Sequence, residues 1–89
     1  MITKKLTHDI IAFCNNYIDN KNILTTIEKY PNYIHVTISV WTIDSEGFIV
    51  NRIDTIGKFI NNEEDFIKYK EEVLNRLPEL LEQLKENQL

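Results

Sequence analysis

A two-layer α+β fold in the order α-β-β-β-α, with a three-stranded antiparallel meander and both helices on one face, follows from three features of the 89-residue chain. First, residues 33–43 read YIHVTISVWTI and alternate strictly: Ile34, Val36, Ile38 and Val40 share one parity, while Tyr33, His35, Thr37, Ser39 and Trp41 share the other. Such alternation marks a strand with one face in the core. Second, turn signals flank this strand, Pro31-Asn32 before it and Asp44-Ser45-Glu46-Gly47 after it. Third, the apolar residues at both ends of the chain recur with helical spacing. A chain of this length is read as one domain over residues 1–89, because it builds a single core.

The first helix is expected from about Leu6 to Ile18. Leu6, Ile10, Ile11, Phe13, Cys14, Tyr17 and Ile18 cover an arc of roughly 160° at 100° per residue, with Thr3 or Thr7 as the cap. The run Asp19-Asn20-Lys21-Asn22 ends it, since Asp and Asn side chains compete for backbone groups. Ile23 to Tyr30 is rich in β-branched residues and reads as the first strand. With Pro31 and Asn32 as a two-residue loop, Tyr30 faces Tyr33, Glu28 faces His35 and Thr26 faces Thr37 on one side. Ile27 then faces Val36 and Ile23 faces Val40 on the other.

Asp44 to Gly47 predicts a type I turn with glycine in the left-handed position of a bulged hairpin. A third strand is expected from Phe48 to about Ile56, with Gly57 marking where it bends out of the sheet. Pairing Ile43 with Phe48 places Ile38 against Ile53 on the core side; on the open side it places Trp41 against Val50, Ser39 against Arg52 and Thr37 against Asp54. The last helix starts at Asn62, whose spacing to Asp65 is that of an N-cap and an acidic first turn. Phe66, Ile67, Tyr69, Val73, Leu74, Leu77, Leu80, Leu81 and Leu84 form its apolar arc. Pro78 lies inside, and two outcomes are open: a kink near Leu77, or a split into a second helix that Pro78 begins.

Composition narrows the function classes. Net charge is −4. Residues 1–60 hold six acids and six bases, so the imbalance lies wholly in residues 61–89, where eight acids meet four bases. Binding to a phosphate backbone draws on clustered Lys and Arg, so no direct nucleic-acid binding is expected. No apolar run approaches the ~20 residues that cross a bilayer. The single Cys14 has no intramolecular disulfide partner and no Cys-x-x-Cys spacing, and no signal peptide is read, which points to a cytoplasmic protein without membrane contact. Fourteen isoleucines and ten asparagines beside one alanine resemble coding in a low-GC bacterial or phage genome.

Chemical motifs are sparse. His35 opposite Glu28 is an imidazole and carboxylate pair of the type used in acid/base catalysis, and equally a cross-strand polar pair on a solvated face. Cys14 reads as a small core residue. Glu63, Glu64 and Asp65 are consecutive acids that favour the helix dipole rather than convergent metal ligands. No phosphate-cradling glycine loop exists, and no cofactor or metal is expected.

The element order is also that of double-stranded RNA-binding domains, but their second helix presents a basic cluster, whereas this one begins Asn61-Asn62-Glu63-Glu64-Asp65. In length, acidity and order of elements the chain is similar to some small anti-CRISPR inhibitors of phages. That similarity is one of architecture and composition, and it assigns no site residue.

What remains is the open sheet face. Tyr30, Tyr33, His35, Trp41, Val50 and Arg52 are its candidate partner-binding residues, because Tyr, Trp and Arg dominate binding hot spots. The expectation is a small acidic, non-enzymatic protein-binding module, a phage or mobile-element inhibitor or accessory protein, acting through this face. Alternatives are a homodimeric structural protein, a small hydrolase using His35 and Glu28, and an acidic mimic of nucleic acid presenting Glu64, Glu71, Glu82 and Glu86. The plain structural alternative is that the aromatics serve only strand propensity and cross-strand packing.

Overall fold

In the computed structural model, which describes residues 2–87, helix α1 (Lys4–Asn15) is followed by strands β1 (Ile23–Lys29), β2 (Ile34–Ile43) and β3 (Ile49–Ile60) and by helix α2 (Glu63–Asn87). The strands form one antiparallel sheet in the order β1-β2-β3. Ile34, Val36, Ile38 and Val40 are fully buried and share one cluster with Leu6, Ile10 and Cys14 of α1 and with Phe66, Tyr69, Val73, Leu77, Leu80 and Leu84 of α2. The parity of β2 therefore divides core from open face as expected. Both helices lie on the Ile/Val side.

Local chemistry explains the boundaries. Thr3 caps α1, its Oγ1 accepting from the Leu6 amide at 3.0 Å. The helix closes at Asn15, earlier than the apolar arc implied, and the chain turns through Asn16 to Asp19. Ile18, placed by its spacing on the buried arc, consequently lies outside the helix and is exposed. At α2 the Asn62 Oδ1 accepts from the Asp65 amide and the Asp65 carboxylate accepts from the Asn61 amide, both at 2.9 Å. Asn62 is thus the cap that its spacing predicts. α2 runs through Pro78 as one helix, so the split does not occur. Leu77, Leu80 and Leu84 are buried on either side of the proline, and that burial offsets the ~3 kcal/mol a proline costs in a helix interior.

The β1–β2 hairpin has the predicted register, with Ile23 opposite Val40, Thr26 opposite Thr37 and Glu28 opposite His35. Its loop is closed by the Tyr30 amide donating to the Tyr33 carbonyl at 2.9 Å. The second turn also forms as predicted. Gly47 has φ +88°, and the Asp44 carboxylate accepts from the Glu46 and Phe48 amides at 2.9 Å each.

The β2–β3 register differs from the expectation. Ile43 pairs with Ile49, not Phe48, and two irregularities between Val40 and Ile43 shift the pairing further, so that Ile38 faces Ile56, Thr37 faces Gly57 and His35 faces Phe59. β3 has 12 residues against 10 in β2, and the extra two are taken up by these bulges. Gly57 does not bend the strand out of the sheet. It sits mid-strand, where a Cβ would come within 3.3 Å of the Thr37 methyl group.

Candidate functional site: the open sheet face

The corrected register rearranges the open face into rows across the strands. Glu28, His35 and Phe59 form one row, Thr26, Thr37 and Gly57 the next, and Leu24, Ser39 and Thr55 the third. Beyond them Trp41 stands opposite Arg52.

Toward the β1–β2 loop the side chains join into an aromatic ridge. Tyr30 and Tyr33 stack with ring centroids 4.8 Å apart, Tyr33 meets Phe59 edge to face at 5.4 Å, and Phe59 stacks on His35 at 4.5 Å. These are favoured aromatic geometries, each worth ~0.5–1.5 kcal/mol beyond area burial. Phe59 is nevertheless 59% exposed and Tyr30 39% exposed. The ridge holds its shape without being covered.

Glu28 ties the ridge together from β1. His35 Nδ1 donates to one carboxylate oxygen and the Tyr30 hydroxyl to the other, both at 3.1 Å. These two bonds, the histidine's being the stronger influence, hold the Glu28 carboxyl below its ordinary value of 4.5. The same contact with Glu28 raises the Tyr30 phenol. Its only acid is therefore already engaged by its neighbours.

Next to the ridge the surface drops. The Thr26 and Thr37 hydroxyls hydrogen-bond one another, and Gly57 completes that row with no side chain at all. Past this trough Trp41 rises again, its Nε1 donating to Ser39 Oγ at 2.8 Å, while Ser39 Oγ donates to the Leu24 carbonyl at 3.2 Å. Asn22 fixes the Trp41 backbone from the β1 side: its carbonyl accepts from the Trp41 amide at 2.7 Å and its Nδ2 donates to the Trp41 carbonyl at 2.9 Å.

Of the six candidate residues, Tyr30, Tyr33 and His35 come together in the ridge, and Trp41 with Arg52 forms a second patch across the trough. Val50 does not join them. It has no Cα partner opposite Trp41 and lies nearer the Asp44–Gly47 turn, where Phe48, Ile49 and Val50 are all exposed. Arg52 stands opposite Trp41 rather than opposite Ser39. Asp54 leaves the open side altogether: it pairs with Val40 on the helix side and accepts from Arg76 of α2 at 2.8 Å. Phe59, the most exposed member of the ridge, lies beyond Gly57, the residue at which the sequence predicts that the strand bends away. The signal that would have found it is the continuing apolar parity of Ile56 and Ile60.

Deeper clefts lie elsewhere. A cleft of about 420 Å³ between α1 and the start of α2 is lined by Asp9, Phe13, Glu63, Phe66 and Lys70 among others, and a smaller one of about 170 Å³ adjoins it at Thr3, Lys5 and Leu6. His35 and Glu28 line neither. Cys14 is buried, and desolvation pushes its thiol up to about 11. Among the described residues no group of three His, Cys, Asp or Glu side chains is placed to hold a metal ion, and no helix is long and apolar enough to cross a membrane. No protein-family model, curated protein or solved structure matches the chain.

Proposed function

We propose that the chain is a non-enzymatic protein-binding module whose contact surface is the open sheet face. One observation carries this: Tyr30, Tyr33, His35 and Phe59 form a continuous, interlocked aromatic ridge in which Phe59 and Tyr30 are exposed and Tyr33 and His35 half-buried. Aromatics already held by ring contacts and by Glu28 lose little side-chain freedom on binding, which is the property of hot-spot residues. Cross-strand packing explains the rings' mutual contacts. It does not explain why they stand uncovered on a small domain.

The reading of His35 and Glu28 as a hydrolytic pair is less well supported. Catalysis needs a substrate held against the base, and His35 has Phe59 stacked on its ring and Glu28 on its Nδ1, outside both clefts. The test is comparative capture from the native host with the wild type, with Tyr33→Ser/Trp41→Ser and with the helix-face control Glu71→Ala. The proposal expects a protein retained by the wild type and the control and lost with the sheet-face variant, at unchanged circular dichroism. Equal retention by all three contradicts it.

A further inference from the structure

Resting on the proposal that the open face binds protein, we infer that its occupant is a second copy of this chain, stacked sheet against sheet. Two observations fit a copy.

The first is the distribution of charge. All of the net −4 lies in residues 61–89, which α2 dominates, on the far side of the sheet. The open face carries Glu28, engaged by His35 and Tyr30, and Arg52 as its formal charges. Two copies meeting through this face keep their acidic helices outermost. With layers spaced ~10 Å apart, the two α2 helices then lie about 30 Å from one another, several times the ~8 Å screening length at physiological salt. Self-association through this face thus avoids the like-charge repulsion that a contact between two α2 helices would meet.

The second is shape. The ridge and the trough are adjacent: Glu28, His35 and Phe59 stand in one row, and Thr26, Thr37 and Gly57 in the next. A two-fold axis normal to neither row but lying between the stacked sheets sets each copy's ridge over the other's trough. Face-to-face sheets interdigitate in this way, and an isologous interface requires a surface complementary to itself. Gly57 has a role here, since a side chain in its place would fill the trough.

The test is sedimentation equilibrium of the purified chain across micromolar to millimolar concentration. The expected wild-type mass is twice 10.6 kDa. Phe59→Ser, which removes the ridge, and Thr26→Trp, which fills the trough from an exposed position, should each weaken association by roughly tenfold or more, the effect of ~1.4 kcal/mol. Leu74→Ser, on the exposed side of α2, should leave it unchanged, and added salt should change the wild-type constant little. A wild-type monomer throughout the range overturns the second copy as occupant, while the capture experiment above still decides whether the face binds another protein. A dimer indifferent to Phe59→Ser and Thr26→Trp but lost with Leu74→Ser overturns both readings.

Discussion

Three side chains show how single contacts set the properties of this domain. Tyr69 is fully buried in α2, and its hydroxyl donates to the Ile56 carbonyl at 2.8 Å, so one hydrogen bond ties the helix to the mid-point of β3. Burial raises its phenol above the ordinary range, which favours the protonated, donating form. Tyr69→Phe should cost about 1–2 kcal/mol in urea denaturation, because a buried carbonyl loses its partner. Phe59, by contrast, is largely exposed: Phe59→Ser should lower stability by about 1–3 kcal/mol through its two ring contacts, and its main effect should be on association. Glu28 gives a signature in pH. Its folded value lies below the ordinary 4.5, so the stabilisation it contributes is present above that value and is lost as pH falls through the folded one. In a titration followed by NMR, Glu28 should ionise below 4.5 in the wild type and move back toward it in His35→Phe; an unmoved midpoint would show that the histidine bond is not the cause.

At the scale of elements, α2 and β3 are where physical expectation and structure part. A proline at position 78 left a kink or a split open, and the helix runs through it unsplit, because Leu77, Leu80 and Leu84 are buried on one stripe and tertiary packing outweighs a local penalty. Pro78→Ala should therefore stabilise the protein by up to ~3 kcal/mol with an unchanged denaturant slope, and a loss of stability would mean that the proline is needed for the helix's course. The β1–β2 register was legible because a two-residue loop leaves one pairing that keeps Ile23 and Ile27 inward. The turn at Asp44–Gly47 was legible for a similar reason, its Asp and Gly each meeting a specific geometric need. What the sequence did not disclose is the pair of β-bulges near Trp41. A bulge has no reliable residue signature, and each one moves every later residue by one position, so together with the one-residue offset at the turn they displaced Arg52 and Asp54 from their expected partners. Thus three of the ridge's four aromatic rings were legible from parity alone, and the fourth was hidden behind Gly57.

The whole molecule is electrically and chemically two-sided. One side is an acidic helix layer, whose exposed carboxylates are partly paired, as Glu64 is with Lys68 and Glu72 with Arg76. The other is a near-neutral sheet face with an aromatic ridge, a hydroxyl-lined trough and a tryptophan patch. Burying that second side would relieve the exposed apolar surface of a domain too small to have stability in excess. Apparent stability should accordingly depend on protein concentration, with the thermal midpoint rising as concentration increases from micromolar to hundreds of micromolar. A midpoint independent of concentration would speak against self-association. The most direct measurement of where the protein binds is an amide and aromatic NMR map recorded over the same concentration range. The account predicts that shifts concentrate at Tyr30, Tyr33, His35, Gly57 and Phe59 while Glu64, Glu71 and Glu82 on the helix layer stay fixed. Shifts confined to α2 with the sheet face unmoved would contradict it.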